Sequence, residues 1–241
     1  MREKFNVSIA IMVYVSQKTS SKSEGVVKTW YDPSCMLLVS SRTHYVNNSV
    51  SIDYDGDDYP FSVTAKAALG LKLLWEKFPN RNYYGICGDD TMVDIPRLLK
   101  KLYYMKISPE NPYLLGQTMS HADYNSGKKK STRVFGGAPI ILTREATRWH
   151  NKIIQKKPNL WKKSRLPHDL WIGNLFLKHN PLSKIIHIPG LYSQSPWFYR
   201  NYPNEHEGGI VHNSLSFHYL NEKNMYWIWP LWRSNNKTCQ I

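Results

Sequence analysis

The stretch Tyr83-Tyr84-Gly85-Ile86-Cys87-Gly88-Asp89-Asp90-Thr91-Met92-Val93 constrains this chain more than any other. Its apolar half reads as a buried strand, and that strand delivers two adjacent carboxylates at its end. In an open α/β sheet, ligands bind beyond the carboxyl ends of the strands. A paired Asp there is placed to hold a hard divalent cation, which would in turn neutralise a diphosphate. The same residues suit a plainer reading, an Asp-rich turn leading into the helix that starts near Asp94-Ile95-Pro96. Asp and Thr favour caps, and Pro favours the first helical position.

The surrounding pattern is that of one α/β domain, because 241 residues suit a single large core better than two. Phe5 to Val15 is an apolar run well short of the roughly 20 residues needed to span a bilayer, so it reads as a first core strand. No signal-peptide pattern follows it, since Ser16 to Ser23 is a polar loop. A helix around Glu24 to Tyr31 and a second strand at Met36-Leu37-Leu38-Val39 complete a β-α-β opening. Asn47 to Pro60, with Asp53, Asp55, Asp57 and Asp58, reads as an exposed connection that lacks the downstream Glu of a calcium loop. Ala65, Leu69, Leu73 and Leu74 recur at helical spacing between Ser62 and Phe78, ahead of Pro79. A helix over Ile95 to Met105 and a strand at Tyr113-Leu114-Leu115-Gly116 follow. Residues 120–132 read as a mobile Lys-rich loop and 233–241 as a flexible tail.

Composition narrows the partners. The chain has 32 Lys and Arg against 18 Asp and Glu, a formal charge of +14, which would suit nucleic acid, an anionic membrane surface or a phosphorylated substrate. The basic residues are dispersed, with Lys128-Lys129-Lys130 as the one uninterrupted triple. No zinc-finger spacing or basic heptad region accompanies them, so no nucleic-acid partner is expected. Cys35, Cys87 and Cys239 lack metal-ligand spacing, and their odd number argues against a fully paired disulfide framework, as in a chain built for reducing conditions.

Three further motifs bear on chemistry, each with a bland alternative. Gly136-Gly137 lies between two apolar runs, where glycines permit positive φ or close backbone approach to a ligand, or make an ordinary turn. Asp169, in Leu166-Pro167-His168-Asp169-Leu170-Trp171-Ile172-Gly173, sits at a helix start, where a capping Asp is common. His218 falls in Ser214-Leu215-Ser216-Phe217-His218-Tyr219, an alternating run, where a His is either a metal ligand or a packed, hydrogen-bonded side chain.

The order of these pieces is more specific than any one of them. A first strand, Thr29-Trp30, Gly88-Asp89-Asp90-Thr91, Gly136-Gly137-Ala138, His168-Asp169-Leu170 and Phe217-His218-Tyr219 together resemble the Fringe-like β1,3-glycosyltransferases of glycosyltransferase family 31. The tail, with Trp197-Phe198-Tyr199-Arg200-Asn201-Tyr202-Pro203 and Leu215 to Leu220, resembles the core 1 β1,3-galactosyltransferases. The resemblance implies a GT-A type α/β fold, with a mixed central sheet flanked by helices. It also implies inverting, Mn2+-dependent transfer of a sugar from a UDP-sugar donor to a glycan or glycopeptide acceptor. Galactose passing to O-linked GalNAc is the leading case. The alternative within the same group is a catalytically silent relative that binds or chaperones a partner. Carried over by motif, Asp90 and His218 are the metal ligands, Asp169 is the general base, and Asp89, Gly136 and Gly137 lie beside the donor. Ser16 and Lys66 join the donor side, and Trp197, Tyr199 and Tyr202 present flat faces to the acceptor.

The sequence departs from the family in three respects. Gly88 stands where the family has its first acid, and His168 replaces the acid preceding the base. The paired cysteines before Phe217-His218-Tyr219 are absent. No Golgi signal anchor is seen, so the resemblance's luminal setting gives way to a cytoplasmic expectation without a membrane span. The oligomeric state is open, a homodimer among the options.

Overall fold

The computed structural model describes residues 7–43, 46–56, 60–121, 131–180, 182–197, 214–232 and 239–240. A seven-stranded sheet runs in the order β10-β6-β9-β4-β1-β2-β3. Its strands are β1 (Ile9–Tyr14), β2 (Met36–Ser41), β3 (Ser49–Ile52), β4 (Tyr83–Gly88), β6 (Tyr113–Gly116), β9 (Ile140–Thr143) and β10 (Lys184–His187). The sheet is mixed, because β9 runs antiparallel to both β4 and β6 while the other neighbours pair in parallel.

Strand β1 shows why the layers form. Successive side chains of a strand point to opposite faces. Ile9, Ile11 and Val13 enter one core with Val26, Leu98, Leu102, Met225 and Ile228. Ala10 and Met12 enter the other with Ala68, Leu71, Leu74, Ala146 and Phe176. The first core lies under α1 (Ser20–Lys28), α3 (Ile95–Tyr104) and α7 (Glu222–Trp232), and the second under α2 (Phe61–Lys77), α4 (Arg144–Lys156) and α6 (His168–His179). A strand covered on both faces needs an unbroken apolar run, and β1 and β4 have one. A short helix, α5 (Asn159–Lys162), follows α4.

Several expectations change. The first strand is Ile9–Tyr14, within the run read as Phe5 to Val15, and its neighbours β2 and β4 match their predicted cores. The helix expected over Glu24 to Tyr31 starts earlier, at Ser20, so much of the polar stretch after β1 is helical. The connection from Asn47 to Pro60 contains β3, whose inner residues Val50 and Ser51 are exposed, so an edge strand there carries little apolar signal. Arg42 pairs with Asp53 and Asp55, so those carboxylates serve an ion pair at the edge of the sheet. The loop expected at 120–132 is flanked by a hairpin of β7 (Thr118–His121) and β8 (Ser131–Val134), and residues 122–130 lie outside the described ones.

The odd cysteine stays unpaired as expected, while Cys239 runs against the expectation of a chain built for reducing conditions. It forms a disulfide with Cys35, Cα–Cα 6.2 Å, across a separation of 204 residues, and leaves Cys87 as the free, buried cysteine. The Cys239 carbonyl accepts the Ile9 N–H at 3.0 Å, so the described part of the tail is fastened to the start of β1. None of the described helices is long and apolar enough to cross a membrane.

One buried titratable group gives the fold a pH dependence. His150 on α4 is fully buried edge-on to Trp171, with Nδ1 3.0 Å from the Asn151 side-chain oxygen, and burial pushes its pKa down to about 4. The unfolded chain therefore takes up this proton first. Stability that His150 supports at pH 7 is lost as pH falls from about 6.5 toward 4, by up to about 3 kcal/mol. His150→Phe should flatten the fall in thermal midpoint over that window relative to wild type. An identical slope in both proteins contradicts the assignment.

Candidate active site

The topology brings the motifs to one edge of the sheet. β1 and β4 are parallel, with Tyr14 opposite Gly88, so the segments that follow them, Val15 to Thr19 and Asp89-Asp90, emerge side by side. β9 is antiparallel, with Ile140 opposite Ile86, so the chain that precedes it, including Gly136-Gly137, arrives at the same edge. A small ribbon of β5 (Met92–Val93) and β11 (Ser216–Phe217) then places His218 beside Asp90, and the Leu220 N–H closes the arrangement on the Asp90 carbonyl at 2.9 Å. Tyr219 makes that return with a φ of 56°, a conformation non-glycine residues rarely adopt.

Asp94, not the Asp pair, caps α3, its side chain accepting the Arg97 N–H at 3.1 Å. Asp89 and Asp90 are thereby left for the cleft. Asp89 is buried and accepts from Thr19 Oγ1 at 2.5 Å and Ser23 Oγ at 3.0 Å. Burial pushes its carboxyl up to about 6, partly opposed by the Thr19 hydrogen bond and reinforced by the Asp90 charge. Asp90 is also pushed up by burial, but its bonds to His218 and Lys22 outweigh this and hold it below the usual carboxylate range.

His218 is positioned through both ring nitrogens. Nδ1 lies 3.1 Å from the Ser193 carbonyl, an acceptor, so Nδ1 carries the hydrogen. In the neutral ring Nε2 then has a lone pair, and it faces Asp90 Oδ1 at 3.2 Å. Two acceptors so close require a proton or a cation between them. Two ligands held at about 2.1 Å and at right angles around one hard cation lie about 3 Å apart, so this pair fits a shared divalent ion.

The glycine pair has a packing role that its sequence did not reveal. A Cβ on Gly137 would meet His218 Nδ1 at 2.8 Å and the Ser193 carbonyl at 2.9 Å. On Gly136 it would meet the Asp169 side chain at 2.8 Å, and the Gly136 N–H donates to Asp169 Oδ2 at 3.0 Å. Asp169 also accepts the Leu170 N–H at 2.8 Å. It sits inside α6, after the N-cap Pro167, and one of its oxygens is spent on a separate element.

Asp89, Asp90, Gly136, Gly137, Asp169, His218, Ser16 and Lys66 all line one cleft of about 540 Å3. Ser16 caps a 3-10 turn over Gln17–Thr19, accepting the Lys18 N–H. Lys66 is 2% exposed and donates to the Val15 carbonyl at 2.8 Å, tying down the chain just past β1. Trp197 is exposed, stands outside the cleft lining and lies 6.0 Å, ring to ring, from Trp227. Tyr199 and Tyr202 lie outside the described residues.

Residues whose sequence context gave them no site role also line the cleft, among them Tyr14, Lys18, Thr19, Lys22, Ser62 and Tyr219. Tyr14 accounts for two departures at once. A Cβ on Gly88 would meet Asp90 Oδ1 at 2.9 Å and the Tyr14 hydroxyl at 3.1 Å. The Tyr14 ring, in turn, packs edge-on against His168 at 5.2 Å. The small residue at 88 makes room for a phenol that fills the space an acid would take. One signal was available: residues at the carboxyl end of the first strand and just past it lie at the ligand-binding edge of such sheets.

Gly137→Ala should displace His218 and break its bond to Ser193. Side-chain nitrogen NMR is expected to show a protonated Nδ1 in wild type and an altered tautomer balance in the variant. Identical spectra would show that the glycine is not needed for this geometry.

The family model described as Galactosyltransferase matches residues 39–151, a span that contains Asp89, Asp90, Gly136 and Gly137 and ends before Asp169 and His218. No curated protein matches the chain. Among solved structures, a glycosyltransferase involved in glycosylation of the major capsid of PBCV-1 aligns with a TM-score of 0.53 at 14% identity, covering 92% of this chain and 98% of that one. At that identity the likeness is one of fold. The galactosyltransferase LgtC, in complex with donor and acceptor sugar analogs, aligns with a TM-score of 0.49 at 10% identity, over 92% of this chain and 95% of that one. The glycosyltransferase GlyE of Streptococcus pneumoniae gives 0.49 at 13%, over 96% and 61%. With its mixed sheet flanked by helices, the chain has a GT-A type fold, and its residues 39–151 match the Galactosyltransferase family model.

Proposed function

We propose that this protein is an inverting hexosyltransferase that moves galactose from UDP-galactose, in β1,3 linkage, onto a sugar acceptor such as O-linked GalNAc. The family domain and the fold support glycosyl transfer. The observation that carries the finer reading is that one cleft holds the Asp90–His218 pair, Oδ1 and Nε2 facing each other at 3.2 Å, together with the separately oriented carboxylate of Asp169.

The residues divide the work. Asp169 is held by two backbone N–H groups and takes the proton of the acceptor hydroxyl as that oxygen attacks the anomeric carbon. The new glycosidic C–O bond forms on the face opposite the leaving UDP, whose anomeric C–O bond breaks. Asp90 and His218 would hold Mn2+, which when bound would supply charge neutralisation for the departing diphosphate. Asp89 braces the nucleoside side through Thr19 and Ser23, with Ser16, Lys66, Gly136 and Gly137 around the donor. The acceptor side is assigned to Trp197, Tyr199 and Tyr202, aromatic residue types whose flat faces suit a sugar. Asp90, Asp169 and His218 are present together, which favours turnover over a silent binding role.

The test separates base from metal site. Asp169→Asn should leave UDP binding nearly intact and lower turnover by about two or more orders of magnitude. Asp90→Ala and His218→Ala should instead lose Mn2+-dependent UDP binding in calorimetry. Near-normal transfer by Asp169→Asn, or unchanged Mn2+-UDP binding in both other variants, would overturn the respective role.

A further inference from the structure

The Asp90 carboxylate has a second partner that the site assignment does not use. Oδ1 faces His218, and Oδ2 lies 3.3 Å from the ammonium of Lys22, which projects from α1 into the same cleft. The Lys22 side chain is 31% exposed and that of Asp90 is 19% exposed, so the pair is neither sealed in the core nor fully solvated. Asp89, next door, already has Thr19 and Ser23 as partners. Lys22 is therefore the cation that balances Asp90, on the oxygen opposite the one shared with His218. A flexible four-carbon stem lets such an ammonium move several ångströms at small cost.

We propose that Lys22 is an exchangeable counter-ion: it holds Asp90 when no divalent cation is bound, opposes binding of the free cation, and passes to the diphosphate when cation and nucleotide arrive together. The inference rests on the reading of Asp90 and His218 as the cation site. Its physical basis is that one carboxylate cannot be fully neutralised twice. A cation entering between Asp90 and His218 reduces the hold of Asp90 on Lys22, and a diphosphate brings fresh anionic oxygens into the same cleft. The free site would then resist a bare metal ion and accept the metal–nucleotide pair more readily.

The two halves predict opposite signs for one substitution, which a merely structural role would not produce. Lys22→Met keeps most of the stem and removes the charge. By calorimetry, Mn2+ alone should bind the variant tighter by up to about fivefold, the range a partly exposed ion pair supports. UDP at saturating Mn2+ should bind it about tenfold more weakly, as expected for loss of a charge-assisted hydrogen bond. Circular dichroism would verify that the variant is folded, and Lys22→Arg should restore most of the UDP affinity. If Mn2+ binds wild type and Lys22→Met equally, or UDP affinity is unchanged, the exchange is refuted while the cation site stands. If neither protein binds Mn2+ with or without UDP, the cation site itself falls, and the exchange with it.

Discussion

His218 Nε2 and Asp90 Oδ1 face each other across 3.2 Å while the Ser193 carbonyl claims the other ring nitrogen, so the pair calls for a positive charge between them. Much of the surrounding architecture serves that contact. β5 and β11 form a ribbon of only two residues each, enough to bring a residue near the end of the chain to the tip of the central strand. Tyr219 accepts a left-handed backbone so that Leu220 can bond the Asp90 carbonyl. Backbone conformations of that kind cost on the order of 1–3 kcal/mol and persist where the surroundings hold them. Gly137 is bare because the imidazole and the Ser193 carbonyl occupy the space beside it.

The same logic links residues that look like isolated departures from the family pattern. Gly88, Tyr14 and His168 form a packed set: the missing side chain admits the phenol, and the phenol lies edge-on to the imidazole. A Cβ at 88 would crowd Asp90 Oδ1 at 2.9 Å and the Tyr14 hydroxyl at 3.1 Å, so either neighbour would have to shift and the glycine belongs to a packed wall of the site. Single motif positions are therefore poor units of comparison here.

Much of the fold was legible in the sequence because the central strands are unbroken apolar runs and α2 and α3 repeat their apolar residues at helical spacing. The edge strand β3 was not, because its inner residues are polar or exposed and it is recruited by pairing with β2. Helix α4 was overlooked, although Thr143 caps it at the Ala146 N–H and Ala146, His150 and Ile154 mark its buried face. The Cys35–Cys239 link joins positions 204 residues apart, a proximity no local pattern encodes. In the site, order along the chain pointed to Asp89, Asp90, Asp169 and His218. The wall built by Tyr14, Thr19, Lys22 and Ser23 stayed hidden, because hydroxyls and lysines after a strand look the same in a solvated loop as in a cleft. The service of the two glycines was equally hidden, since it depends on groups 33 and more residues away that only the fold brings near.

Under the proposed function, Asp90 and His218 share one divalent cation. A crystal grown with Mn2+ and UDP, with diffraction recorded at the manganese absorption edge, tests it most directly. A shared ion should give one anomalous peak within bonding distance of both Asp90 and His218 Nε2, with diphosphate oxygens completing its coordination. A peak bound elsewhere in the cleft, or UDP bound with the two side chains still facing each other and no peak between them, would contradict it.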